Sequence, residues 1–274
     1  MIIVAKPFGN HSNRLLQDAR LHAFCKEYGI RYFNPHFSDM ARFYPNLYRR
    51  GYGGRHVIRL LRHLYLIRPV LLGLLPRNEE RHRYHPVATP EELLSLCQRY
   101  RLLFVCGFAL PVDALLRKHH DTFIHQYALD PRLLKGNRIV RQISDWKLQG
   151  IVVLGLHIRR GDYKTWREGR HYYDDATYSR IIDSTVKLFE ARGHIVRCII
   201  CSNEPVTLRT KCAPVFSGSE WYVDQYLLSQ CNYILGPPST FTEWASYIGE
   251  VPFYHIQSPI EEICLEKFKY CYKE

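Results

Sequence analysis

Read for its apolar positions, the chain opens with a short buried run, IIVAK from Ile2, and then a polar segment, FGNHSNR. LLQDARLHAFCKEY follows with apolar residues at helical spacing, and Gly29 supplies a stop. IRYFN is the next strand, so the chain begins strand, helix, strand. That order requires a parallel sheet and a right-handed crossover. From Phe37 to about Arg83 the pattern loosens into aromatic and arginine-rich sequence, with GYGG at Gly51 to Gly54 and a leucine-rich stretch from Val57 to Leu75. An insertion or helical excursion is expected there. Regular punctuation returns with TPEELLSLCQRY, where Thr89 can cap and Pro90 can take the first helical position. LLFVCG then reads as a strand and PVDALLRKHH as a helix.

The second half is more regular. IVVLGLHI, Ile151 to Ile158, is a continuous apolar run of the kind a fully buried parallel strand needs, and it ends on the polar loop RRGDYK. Asp174 to Arg192 is a long amphipathic helix with Tyr178, Ile181, Ile182, Thr185 and Phe189 along one side and Gly193 behind it. IVRCIIC is a strand, SNEP a turn, VDQYLLSQC a helix, NYILG a strand, FTEWASYIG a helix and VPFYHI a strand. Residues 151–256 therefore alternate β and α, as a doubly wound domain does. The architecture expected is α/β, with two Rossmann-like domains at 1–145 and 146–274 joined near Gly136 to Gly150.

With 274 residues, 46% hydrophobic and 23% charged, the chain is well outside the disordered range and long enough for two modest domains. Its net charge of +12 points to a negative partner, whether a nucleotide diphosphate, nucleic acid or an anionic membrane surface. Paired zinc ligands and an RNP-like motif are both missing, which sets nucleic acid aside. Nine cysteines and an opening without a charged and apolar leader suggest a cytoplasmic protein with reduced thiols. Cys198 and Cys201 have CxxC spacing, but within a strand pattern residues three apart face opposite sides, so they read as core residues. No apolar stretch approaches the ~20 residues of a membrane span. The 57–75 segment interleaves Arg59, Arg62 and Arg68 with leucines, and it reads equally as an interfacial helix for an anionic membrane or as a basic helix over its own core.

Ligands of open α/β sheets sit at the carboxyl ends of the strands, near the switch in strand order. Three loops of the second half fall there: HIRRGDY, CSNEP and GPPSTFTEW. Arg159 and Arg160 leave a buried strand together, which favours a bound anion, and a guanidinium fork suits phosphate oxygens. A structural ion pair with Asp162 is the plainer alternative. Ser239 and Thr240 stand where a strand passes into a helix, so hydroxyls and free N–H groups can meet an anion. Simple capping by Ser239 is the alternative, and the two are compatible. The Asp174–Asp175 pair belongs at a helix start rather than at a metal.

These residues carry a resemblance. HIRRGDY resembles the HxRRxD signature of the α1,2- and α1,6-fucosyltransferases and the related protein O-fucosyltransferases, and it is most similar to the bacterial-type α1,2 branch. STFTEWASYIG resembles that branch's third motif, and GNHSNRLLQ its opening pattern, with Asn13 and Gln17 matching. CSNEP takes the place of the second motif, with Asn203 and Glu204 where an acidic pair is usual, and Glu243 stands where the third motif has tryptophan. The resemblance implies a GT-B-like fold whose two domains face a cleft. It also implies GDP-fucose as donor, inversion at the anomeric carbon, no metal or other cofactor, and transfer to a glycan hydroxyl, with α1,2 linkage to galactose. In this sequence Arg160 would hold the β-phosphate with Arg159 beside it. His157, Asn203 and Glu204 would lie near the guanosine, while Ser239 and Thr240 would hold the donor's diphosphate with the arginines and Phe241 would also bind the donor. Asn13 would serve the acceptor side. Asp162 matches the motif's aspartate and would act as base or orient the arginines, with Glu168 or His11 as other bases. Another GDP-sugar enzyme, such as a GDP-mannose user, or a non-catalytic nucleotide- or glycan-binding homologue would share these features.

Overall fold

The computed structural model describes residues 1–4, 8–37, 39–50, 85–86, 89–106 and 110–272. The GYGG segment and the basic 57–75 stretch lie outside them. The chain divides into two compact units, Met1–Asp130 and Pro131–Glu274.

In the first unit β1 (Ile2–Val4), β2 (Tyr32–Phe33), β3 (His85–Pro86) and β4 (Leu103–Cys106) form a parallel sheet in the order β2-β1-β4-β3. The crossover between β1 and β2 is helix α1 (His11–Glu27), which starts inside the segment expected to be loop. Leu21, Phe24 and Cys25 of α1 bury against Ile2, Val4, Leu103 and Val105 of the sheet. Gly29 ends the helix with φ of +64°, a conformation that suits a residue without Cβ. Asp18, fully buried on the same helix, accepts from Asn34 Nδ2 at 3.0 Å and from the Tyr127 hydroxyl at 2.8 Å. Short α2 (Pro45–Arg50) precedes the undescribed stretch. Helix α3 (Pro90–Arg99) begins as its sequence predicts, with the Thr89 side chain accepting from Glu92 N at 3.2 Å.

PVDALLRKHH, expected as a helix, holds α4 (Asp113–Lys118), and a second helix, α5 (His120–Gln126), starts at its last residue. The break falls at His119, and Glu27 at the end of α1 takes Lys118 Nζ at 2.6 Å and His119 Nε2 at 3.0 Å. A tertiary contact therefore sits where no glycine or proline announces a break.

The second unit carries a five-stranded parallel sheet of β5 (Val152–Ile158), β6 (Val196–Ser202), β7 (Val215–Phe216), β8 (Tyr233–Gly236) and β9 (Phe253–His255), ordered β7-β6-β5-β8-β9. Alternate residues feed two cores. Leu154, Leu156, Cys198 and Ile200 meet Tyr178, Ile181, Ile182 and Phe189 of α7 (Asp175–Glu190) on one face. Val153, Ile199, Cys201 and Ile234 meet α6 (Arg138–Leu148), α8 (Trp221–Gln230) and α9 (Thr240–Gly249) on the other. Cys198 and Cys201 thus point to opposite faces, and the sheet is wound on both sides.

The expected domain join near Gly136 to Gly150 is helix α6, capped by Asn137, whose side chain accepts from Ile139 N at 2.9 Å. Its Ile143 is 1% exposed within the second unit's core, so the division falls at Asp130/Pro131 rather than at 145/146.

The β5–β8 contact is tight at its carboxyl end. A Cβ built on Gly236 would stand 2.6 Å from the His157 carbonyl oxygen. Gly236→Ala must therefore push the strands apart, and a loss of about 1–3 kcal/mol in chemical denaturation is expected. Unchanged stability would mean that the strands have slack here.

Candidate functional site

In the second unit the chain passes from β5 through α7 to β6 and β7 on one side of the sheet, while β8 and β9 lie on the other. The strand order reverses between β5 and β8, and the loops beyond these strands flank the point where doubly wound sheets take ligands.

His157, next to last in β5, is 4% exposed and stacks on Phe241 with ring centroids 4.6 Å apart. Burial drives its pKa down to about 3, with Arg159 and His255 adding to the effect, so the ring is neutral. Its Nδ1 is buried and meets no partner among the described residues. The loop then carries Arg159, whose Nη2 lies 2.8 Å from Asp162 Oδ1. Asp162 remains largely exposed at 55%. This is the plain ion pair allowed for by the sequence.

Arg160 is held differently. Its backbone N–H donates to Asn203 Oδ1 at 2.8 Å, and its guanidinium, only 11% exposed, pairs with Asp175 Oδ1. The Arg160 Nε is buried with no partner among the described residues. Gly161 follows with φ of +63°, and a Cβ there would stand 3.2 Å from Asn203 Nδ2 and 3.4 Å from Glu204 Oε1. Asn203 and Glu204 are thereby brought against the arginine loop.

The loop after β8 is joined to it by the buried Tyr163, whose hydroxyl donates to the Pro238 carbonyl at 2.5 Å. Ser239 caps α9 by accepting from Phe241 N at 3.2 Å, and Thr240 and Phe241 form the first turn. Behind the cap, His255 Nε2 lies 2.7 Å from Thr242 Oγ1 and 3.4 Å from Ser239 N. Burial, helped by Lys269, lowers the His255 pKa to about 4. Two neutral imidazoles thus leave the guanidinium groups and the helix N–H donors as the positive features of these loops.

All the second-half candidates, His157, Arg159, Arg160, Asp162, Asn203, Glu204, Ser239, Thr240 and Phe241, lie on these loops or their strand and helix ends. Asn13 belongs to the other unit, in the first turn of α1, with its side chain packed on Gly9. Glu168 is exposed in a turn where it and Arg167 both have left-handed backbone, with φ of 61° and 48°. For residues with side chains that conformation is strained.

Three contributors were given no part in this site by the sequence, which read Asp175 only as a helix-start residue. Asp174 caps α7 by accepting from Thr177 N at 2.8 Å, as a helix-start residue should. Asp175 does more, because its Oδ2 also accepts from Thr207 N at 2.9 Å. That contact is the first of three. Arg209 N donates to Ser179 Oγ at 3.0 Å and Lys211 N to Asp183 Oδ1 at 2.8 Å, so an extended segment is laid along α7. Tyr163 is the second contributor. Asp224 on α8 is the third: it is 7% exposed, takes the Ser217 hydroxyl, and burial raises its pKa to about 7. A sequence signal existed only for Asp175, as an acid near a helix start within reach of a basic loop.

No protein-family model and no curated protein matches the chain. Solved structures do. Arabidopsis thaliana FUT1, a mutant form in complex with GDP, superposes with a TM-score of 0.56 at 12% identity, covering 94% of this chain and 71% of that one. The fucosyltransferase NodZ from Bradyrhizobium superposes with a TM-score of 0.52 at 14% identity, covering 95% and 96%. At these identities the likeness is one of fold, an α/β arrangement of parallel sheets that the chain shares with these two proteins.

Two outcomes are expected from the carboxylates. Asp175→Asn strips a nearly buried guanidinium of its counter-ion and should cost about 1–3 kcal/mol in denaturant unfolding, whereas Asp174→Asn, an equally good cap, should cost little. Equal losses would remove Asp175 from its special place. Asp224 has a raised pKa, so its contribution is fullest below about pH 4 and is lost as pH rises through about 7. Asp224→Asn should therefore gain on the wild type between those values, by on the order of a few kcal/mol at most, as measured in parallel urea titrations. A flat difference would contradict the raised pKa.

Proposed function

We propose that the protein is an inverting, metal-independent fucosyltransferase that moves fucose from GDP-fucose to a glycan hydroxyl, in α1,2 linkage to galactose. One arrangement carries the reading. Two arginines leave β5 opposite a serine-capped helix end across the switch point, with the Arg160 Nε buried and unmatched. That is a site short of an anion, in a fold shared with fucosyltransferases.

When the fucosyl–phosphate bond breaks, negative charge collects on the departing diphosphate. Arg160 is held by Asp175 at one terminal nitrogen, which fixes the plane of the fork and leaves Nε for a phosphate oxygen. The α9 N–H groups face the same charge, and together these donors supply what Mg²⁺ would supply elsewhere. The buried His157 and the half-buried Phe241, with Asn203 and Glu204, are assigned to the nucleoside, and Asn13 to the acceptor. For the base we favour Glu168 over Asp162, because Asp162 is engaged by Arg159 while Glu168 is exposed on a strained turn.

Calorimetry in EDTA should give GDP a micromolar-range Kd, and loss of binding on chelation would sink the metal-free mechanism. Arg160→Lys keeps the charge but not the fork, so kcat for transfer from GDP-fucose should fall on the order of 10² or more. A near-normal kcat in that variant would mean the diphosphate is held elsewhere.

A further inference from the structure

At the opposite end of β6 from these loops a cavity of about 400 Å³ opens between the last turns of α7 and the segment that precedes β7. Lys187, Arg197 and Lys211 line it, with His194 and the 60% exposed Ile195. Asp183 and Glu190 also reach it, but Asp183 is engaged by Lys211 N at 2.8 Å. Cys212 forms part of the wall, and its Sγ stands 3.5 Å from the Sγ of Cys198, which is 1% exposed in the core beside it.

We propose that Cys212 and Cys198 are a thiol pair oxidised by a small anionic disulfide that docks in this cavity. The Cys212 thiolate attacks one sulfur of the reagent, whose S–S bond breaks, and half of it leaves as a thiolate. The Cys198 sulfur then attacks Cys212, and its proton passes to the departing sulfur, so the second half leaves as a thiol. The two protein thiols are oxidised to one disulfide and the reagent is reduced to two thiols.

The order of the steps follows from position. Cys212 is half-buried and meets the cavity, while Cys198 has no route to a reagent except through Cys212. The two sulfurs share one hydrogen bond, and this holds the Cys212 pKa down to about 7, with Thr210 assisting. The same shared proton, together with burial, pushes Cys198 up. An attacking thiol near ambient pH and a protonated resolving thiol are the combination that exchange needs. Closing from 3.5 Å to a bonded ~2 Å calls for a small shift of a loop residue rather than of a strand. The cations on the wall favour a reagent that carries carboxylates.

Incubating the full chain with oxidised glutathione near neutral pH, followed by peptide mass spectrometry, tests this. A Cys198–Cys212 cross-link is expected, preceded by a transient glutathione adduct on Cys212, and Cys198→Ala should stop at the adduct. Should that variant fail to fold, the order of appearance in the wild type decides the question. Oxidation of Cys264 or another cysteine while Cys212 stays free would overturn the proposal, as would a cross-link with no Cys212 adduct before it. Lys187→Glu combined with Lys211→Glu should slow glutathione disulfide about tenfold and leave neutral 2-hydroxyethyl disulfide nearly unaffected. Equal rates for the two reagents would remove the anionic ligand.

Discussion

A guanidinium withdrawn from water at the end of an apolar strand needs a carboxylate, and Arg160 finds it in Asp175 on the helix that the same loop leads into. Much of the local geometry depends on this pair. The arginine's backbone is fixed by Asn203, which brings the loop after β6 into register. The second oxygen of Asp175 anchors the segment beginning at Thr207, so one carboxylate organises loops from two neighbouring strands. An ion pair of this kind adds little net stability, but its loss leaves a stranded charge.

Around that pair, burial sorts the charges. His157 and His255 are close to the arginines and to the α9 terminus, yet both are neutral because the apolar surroundings disfavour an imidazolium. Positive charge is thus confined to groups that cannot lose it near neutral pH. Asp224 shows the converse, a carboxyl that burial keeps close to its protonated form.

The α/β order of the second unit was legible because its strands are continuous apolar runs, with helices of clear periodicity between them. IVVLGLHI and the Tyr178, Ile181, Ile182, Thr185, Phe189 face needed no tertiary information. The arginine loop and the Ser239 cap were equally plain, since their meaning is local. The pairing of Arg160 with Asp175 was not, because a loop and a helix start must first be folded before they are neighbours. His255, Tyr163 and Asp224 were missed for a related reason: each resembles an ordinary strand or helix residue until its burial is known. The break between α4 and α5 also depends on a partner, Glu27, distant in sequence. The α6 segment was misplaced as a join because its one fully buried residue, Ile143, shows its role only in the packed core.

The segment laid along α7 contacts the helix at every second residue of its own and every fourth of its partner. Two extended residues advance about 6.6 Å, whereas four helical residues advance about 6 Å. The two rulers are incommensurate. They slip by roughly half an ångström per rung, so such a ladder holds for a few rungs and then loses phase. An insertion of a helical turn in α7 would not lengthen the contact; it would put the added rung out of step, which gives this docking a natural maximum length.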